Sequence, residues 1–233
     1  MAQAFEVGSL ALDAPAVTLL RKLVSFLPTN RPFVITIFGS APLQIQLERT
    51  FASADVDVFC DWEHLVELVS AHQLGTGQTE FYIQVCSELN FRTSPRWKGR
   101  TRSFQIDHVT FILPHPIDIL IAKLHRLDDK DLAAFRLVLD RTGHPTDAEL
   151  VEELRAAVDL FRPNFDEEQG QDLAANCRRL WPILYGRDID PRKEIIAPAL
   201  EIRRKGYDLP TRDYRQELRD ALASYGVATP PDP

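Results

Sequence analysis

The sequence FVITIFGS at residues 33–40 is followed, after fourteen residues, by DVDVF at residues 55–59. Both apolar runs are short and rich in β-branched and aromatic residues, which predicts two strands, the first ended by Gly-Ser. Because side chains alternate along a strand, Asp55 and Asp57 are expected on one face, about 6.5 Å apart along the backbone. The intervening valines are then expected on the opposite, buried face.

Two carboxylates on one face repel each other unless a cation lies between them. Mg²⁺ or Mn²⁺ accepts such oxygen ligands and keeps water and substrate phosphates as its others. Gly39 lets the backbone approach a ligand closely, and the Ser40 hydroxyl and the first amides of the next helix are suited to a phosphate. The two segments together predict a phosphate site beside a metal site.

A third acid, Asp107, lies in the apolar run 104–113, which we interpret as one strand. An isolated buried carboxylate is energetically costly. Asp107 is therefore expected either to bind the metal with the other two aspartates or to pair with an arginine.

The chain changes character near Pro114. Before it, a helix is predicted at 13–27 and strands at 33–38, 56–60, 79–86 and 104–113; helical periodicity follows. The predicted later helices are 116–127, 130–141, 147–161, 168–184, 192–205 and 212–224. The expected fold is α+β, a mixed sheet with packed helices over 1–114, an all-helical part over 115–228 and a disordered tail at 229–233.

This pattern resembles the DNA polymerase beta-like nucleotidyltransferase superfamily over residues 33–60 and 104–135. The resemblance depends on a strand ended by Gly-Ser, the Asp-x-Asp pair, a later acid, and helices containing lysine and Lys-Asp. Within the superfamily, the chain is most similar to the bacterial group of AbiE-type toxins and related uncharacterised proteins.

The resemblance implies roles for the residues of both segments. Gly39 and Ser40 would contact a triphosphate, and Asp55 and Asp57 would bind metal. Asp107 would bind the catalytic metal beside the acceptor hydroxyl. Two cations held by three aspartates would lower the pKa of that hydroxyl and stabilise charge on the attacking and leaving oxygens.

Two later residues complete the implied site. Lys123 would neutralise phosphate charge, and Asp131 would orient that lysine or the substrate. The alternative for Lys123 is a surface lysine at the edge of an apolar helix stripe. The chain departs from antibiotic-modifying members at Ala41-Pro42, where an arginine often follows Gly-Ser.

The implied activity is transfer of a nucleoside monophosphate from a nucleoside triphosphate to a hydroxyl, with ATP among the candidate donors. The acceptor suggested by the AbiE-like similarity is the 3′ end of tRNA, with an antitoxin-like protein as partner. Two alternatives stay open: a non-catalytic partner module that keeps the fold, and a transferase that modifies an antibiotic. The latter would need the acids of 147–168 to line a pocket.

The charge is unevenly distributed. The net charge of −7 argues against bulk attraction to nucleic acid. Residues 92–102, RTSPRWKGRTR, contain five basic residues and one tryptophan. This basic segment is expected either to contact a nucleotide or an RNA acceptor, with Trp97 stacking, or to form a solvated loop.

The remaining composition predicts a cytoplasmic protein without a membrane association. The three cysteines show no metal-ligand spacing, and Cys60 and Cys86 end apolar runs. We expect no signal peptide and no membrane span.

Overall fold

A five-stranded mixed sheet forms the N-terminal part of the molecule. The computed structural model describes residues 5–77, 81–162 and 172–207. The strands are β1 (Phe33–Phe38), β2 (Asp55–Phe59), β3 (Tyr82–Val85), β4 (Arg102–Ile106) and β5 (Val109–Leu113). Their order in the sheet is β3-β2-β1-β5-β4. β1 pairs parallel with β5 and antiparallel with β2, whereas β2 and β3 are parallel and β4 and β5 antiparallel.

Helices lie before and between the strands, and further helices follow the last strand, which confirms the α+β prediction. Those of the first part are α1 (Pro15–Val24), α2 (Ala41–Gln46) and α3 (Leu65–Ala71). Those of the second part are α4 (Pro116–Lys123), α5 (Asp129–Thr142), α6 (Asp147–Ala156), α7 (Leu173–Tyr185) and α8 (Ala197–Tyr207). The helix predicted at 212–224 and the tail lie outside the described residues.

One strand of the prediction is wrong. The run 104–113 is an antiparallel hairpin, and residues 107–108 form the turn between β4 and β5. Asp107 has φ +50°, a conformation that aspartate adopts more readily than most residues. The turn contains neither glycine nor proline, so the usual sequence signal for a hairpin was missing.

Helix α2 joins two hydrophobic cores. The first core packs one face of the sheet against α1 and α3 and includes Ala41 and Ile45 of α2. The second core lies among the later helices and includes Leu43 of the same helix. All six residues of α2 are buried, and the Gln46 side-chain amide donates to the Pro114 carbonyl oxygen at 2.9 Å. The sheet and the helical part therefore share this helix, and a domain boundary near Pro114 stays a prediction.

Candidate active site

The two aspartates of β2 lie on the same face of the sheet. Asp55 and Asp57 are half-buried, whereas Val56 and Val58 are completely buried on the other face. The alternation expected from the sequence is therefore observed. The Asp57 carboxylate faces the end of β1, because Phe38 and Asp57 are directly paired.

Gly39 makes room for the Asp57 carboxylate. Its φ is +67°, a region that side chains with a Cβ rarely adopt, and a Cβ added there would overlap Oδ2 of Asp57. The close approach predicted at this glycine is thus observed, but its partner is a carboxylate of the same chain. A residue other than glycine would have to displace Asp57.

A cleft of about 560 Å³ opens at this end of β1. Four of the predicted site residues, Gly39, Asp57, Lys123 and Asp131, line it. Ser40 precedes α2 as its N-cap and makes no side-chain capping bond. The sheet and the first helices of the second part thus form opposite walls of one cleft.

A cluster of three charged side chains forms the wall opposite Asp57. Asp131 is fully buried and accepts hydrogen bonds from Lys123 Nζ at 2.9 Å and from Arg126 Nε at 3.0 Å. Burial alone would raise the pKa of Asp131, but the hydrogen bond from Arg126 and the charge of Lys123 lower it. The Asp131 carboxylate is therefore ionised at neutral pH and holds the Lys123 and Arg126 side chains in place.

The sequence did not identify Arg126 as a site residue. It lies three residues after Lys123, just beyond the end of α4, and lines the same cleft. Residues three apart lie on one side of a helix. That spacing was the available signal, and it is weak because surface arginines at this spacing are common.

The pKa of Asp57 is raised to about 6. Burial is the main cause and the neighbouring charge of Asp55 adds to it, while Lys123 and Arg126 act in the opposite direction. Two half-buried carboxylates in this position favour a bound cation, because it would neutralise both. Their oxygen donors fit a Mg²⁺ or Mn²⁺ ion.

Asp107 does not lie beside the other aspartates, and the position expected for it is wrong. The Phe33 amide at the start of β1 donates to the carbonyl oxygen of His108 in the turn. Gly39 follows the opposite end of β1. Asp107 is thus separated from the cleft by the whole strand, about 17 Å at the usual rise per residue. At that distance it cannot share a metal ion with Asp55 and Asp57.

The basic segment 92–102 makes mostly internal contacts. Arg96, Lys98, Arg100 and Arg102 bind acids or carbonyl groups of the chain. These pairs are Arg96 with Glu153, Lys98 with Glu88, Arg100 with Asp118 and Glu153, and Arg102 with the carbonyl oxygens of Val7 and Gly8. Arg92 of the segment lines the cleft.

Trp97 of the same segment packs on aromatic rings of the protein. Its ring lies 5.4 Å from Phe91 and 6.1 Å from Phe38, both edge-on. Phe91 in turn stacks on Phe38 at 4.6 Å and lines the cleft. Phe91, which directly precedes this segment, therefore lines the cleft, whereas Trp97 is not among the lining residues.

The fold and the cleft agree with a comparison to known families. The model of the family described as "nucleotidyltransferase of unknown function (DUF6036)" matches residues 17–178. The chain belongs to this family. The match spans the sheet, the cleft and the helices up to α7, so it includes every residue predicted for the site.

Membership in the nucleotidyltransferase family implies a nucleoside triphosphate as substrate and suggests a divalent metal. It gives no connection to AbiE-type toxins. A search of the curated proteins and a search of the solved structures each found no match.

Two observations bear on the remaining predictions. Within residues 5–77, 81–162 and 172–207, no group of three or more His, Cys, Asp or Glu side chains is placed to hold a metal ion. In the same part of the chain, no helix is both long and apolar enough to cross a membrane.

Proposed function

We propose that the chain transfers a nucleoside monophosphate from a nucleoside triphosphate to a hydroxyl group, with Mg²⁺ or Mn²⁺ bound at Asp55 and Asp57. The observation that most supports this proposal is the cleft itself. It brings Gly39 and Asp57 of the sheet together with Lys123 and Asp131 of the helices.

The residues on the two walls of the cleft have different roles in binding a triphosphate. Asp55 and Asp57 hold the cation, which when bound neutralises phosphate charge and lowers the pKa of the acceptor hydroxyl. Lys123 and Arg126 attract the phosphate oxygens from the opposite wall. Asp131 positions both of these cations, so that little reorganisation is needed when the triphosphate enters.

The proposed step balances without a further co-reactant. The acceptor oxygen forms a bond to the α-phosphorus, and the bond from that phosphorus to the bridging oxygen breaks. Pyrophosphate leaves with the bridging oxygen, and the hydroxyl proton passes to water. The protein contributes position and charge, as in other phosphoryl-type transfers.

The proposal does not extend to a particular acceptor. Support for tRNA came from the AbiE-like similarity, to which the family match gives no connection, and from the basic segment 92–102. Arg96, Lys98, Arg100 and Arg102 of that segment bind groups of the chain. Support for an antibiotic came from the acids of 147–168, and none of the described members of that run lines the cleft.

A second candidate is a module of the same fold that binds nucleotide without transferring it. The position of Asp107 favours this candidate, because this residue, the third carboxylate expected for two-metal catalysis, lies at the end of β1 away from the cleft. Both candidates predict nucleotide binding, and they differ only in transfer.

The test is a labelled-transfer assay paired with a binding measurement. The protein is incubated with Mg²⁺ and each α-labelled nucleoside triphosphate, with and without total tRNA, and transferred label is sought. Binding of a non-hydrolysable triphosphate is measured by calorimetry. Asp57→Asn should lower transfer by roughly 100-fold or more, the usual effect of removing one electrostatic group from such a site.

Asp61→Asn is the matched control, since this exposed aspartate follows the opposite end of β2. It should leave transfer and binding unchanged. Binding without transfer would select the non-catalytic module. Absence of both, with no difference between wild type and Asp57→Asn, would reject both candidates.

A further inference from the structure

The strands on either side of β2 place neutral side chains next to its carboxylates. Asp57 pairs with Phe38 of β1 on one side and with Gln84 of β3 on the other. Asp55 pairs with Tyr82 of β3. Residues paired in this way lie on the same face of a sheet about 5 Å apart. These neighbours are therefore the nearest places on the sheet from which a third ligand could come.

The other acids near the cleft are not available as ligands. Asp131 accepts hydrogen bonds from Lys123, from Arg126 and from the backbone amide of Asp128. Asp107 lies at the far end of β1. Cys86 lines the cleft, but its thiol points to the Val58 carbonyl oxygen at 3.4 Å.

The charge of the donor set limits the number of cations. Two-metal sites hold their ions about 3.5–4 Å apart and need enough negative charge to offset the repulsion between them. Asp55 and Asp57 supply two negative charges, which balance one divalent ion. Gln84 is exposed and lines the cleft beside Asp57, and it offers an amide oxygen without charge.

We propose that the site at Asp55 and Asp57 holds one divalent cation rather than two, an inference that rests on the proposed function. Gln84 occupies the position where a carboxylate would be needed to hold a second cation.

Lys123 and Arg126 line the opposite wall and are paired with Asp131, and Arg126 is paired also with Asp128. Their ammonium and guanidinium groups are placed to contact phosphate oxygens there without a second metal ion.

Counting bound Mn²⁺ tests this proposal without an activity assay. Mn²⁺ is titrated into the nucleotide-free protein, and free Mn²⁺ is measured by electron paramagnetic resonance. The expected result is one Mn²⁺ per chain for wild type and none for Asp57→Asn. Gln84→Glu should bind two, because the added carboxylate completes the donor set.

Gln105→Glu is the matched control, because Gln105 is also an exposed glutamine of the sheet but lies on β4, away from the cleft. It should bind one Mn²⁺, as wild type does. Circular dichroism confirms that each variant is folded before titration.

The outcomes separate this inference from the function on which it rests. Two Mn²⁺ per chain in wild type would overturn the inference and leave a metal-dependent transferase standing. A count of one in Gln84→Glu would overturn the role of Gln84. No Mn²⁺ binding by wild type would overturn both the inference and the metal-dependent function.

Discussion

Arg100 binds two buried carboxylates and fixes the basic segment to the helical part of the molecule. Its Nε donates to Asp118 Oδ2 at 3.1 Å, and its NH1 lies 2.7 Å from Glu153 Oε1. Only 11% of the Arg100 side chain is exposed, and both carboxylates are almost completely buried. Removing the guanidinium would leave the buried Asp118 carboxylate without its ion-pair partner and Glu153 with its longer ion pair to Arg96, at 3.6 Å.

Replacing Arg100 by methionine is therefore expected to lower the free energy of unfolding by about 3–5 kcal/mol at pH 7.5, the usual cost of removing one partner from a buried ion pair. The loss should shrink at lower pH. Burial raises the pKa of Asp118 to about 6 even though Arg100 opposes the shift, so removing Arg100 raises the pKa of Asp118 in the folded state further above its unfolded value. The folded variant then binds more protons than the unfolded chain, and its stability rises as the pH falls.

Urea unfolding followed by circular dichroism, at pH 7.5 and pH 5.5, measures the difference between wild type and variant at each pH. Lys98→Met is the matched control, because Lys98 is 69% exposed and pairs with Glu88 at the surface. It should cost at most about 1 kcal/mol. The triple variant Arg100→Met/Asp118→Asn/Glu153→Gln should recover much of the loss, since no buried charge remains unpaired.

A loss of less than about 1 kcal/mol in Arg100→Met, the range expected of a surface pair, would contradict this role of Arg100, as would a loss that is the same at both pH values. A folded variant that no longer binds nucleotide would also contradict it. Arg100 would then belong to the substrate site rather than to the junction between sheet and helices.

Two further predictions concern Gly39 and His115. Gly39→Ala should lower the free energy of unfolding by about 1–2 kcal/mol and abolish Mn²⁺ binding, because the new Cβ displaces Asp57. Gly143→Ala is the control: Gly143 has φ +71° but lies in open space, so this variant should lose stability and keep Mn²⁺ binding. His115 is the buried N-cap of α4, and burial lowers the pKa of its imidazole to about 4. As the pH falls from about 6.5 to 4, the unfolded chain therefore binds a proton at this position that the folded chain does not. Stability should decrease over that window by up to about 3 kcal/mol, and urea titrations of His115→Asn should lack this part of the pH dependence.

Local patterns predicted the part of the site that is close in sequence. The run 33–40 had to be a buried strand ended by a glycine turn, and the alternation at 55–59 placed both aspartates on one face. These features depend on spacing within a few residues, which the sequence gives directly. The pairing of Asp57 with Gln84 could not be predicted in this way, because strand register depends on which side chains pack across the sheet.

The prediction for Asp107 failed for a physical reason of the same kind. An acid inside an apolar run is expected to be a buried ligand when the run forms a single strand. It is expected to be a turn residue when the run forms two strands joined by a turn. The choice between them depended on whether the chain reverses at 107–108, and aspartate tolerates the positive φ that the turn requires. Without glycine or proline at that point, the local sequence favoured the wrong alternative.

The basic segment shows how a local charge count can mislead. Five cations within eleven residues suggested a surface for phosphate, but Glu153, the partner that Arg96 and Arg100 share, lies more than fifty residues later, on α6. A buried acid such as Glu153 indicates a partner only when the fold is known. The same run of sequence thus stabilises the junction between sheet and helices.

The charges that line the cleft connect the two proposals. Asp55 and Asp57 have the same sign as a triphosphate and repel it, so a nucleotide can approach that wall only with a cation between them. On the other wall, Lys123 and Arg126 present cationic groups to the cleft while paired with Asp131 and, for Arg126, also with Asp128. Cation and nucleotide should therefore bind cooperatively, each raising the affinity of the other by the same factor. A single cation is sufficient for this coupling, because Lys123 and Arg126 already place cationic groups on the second wall.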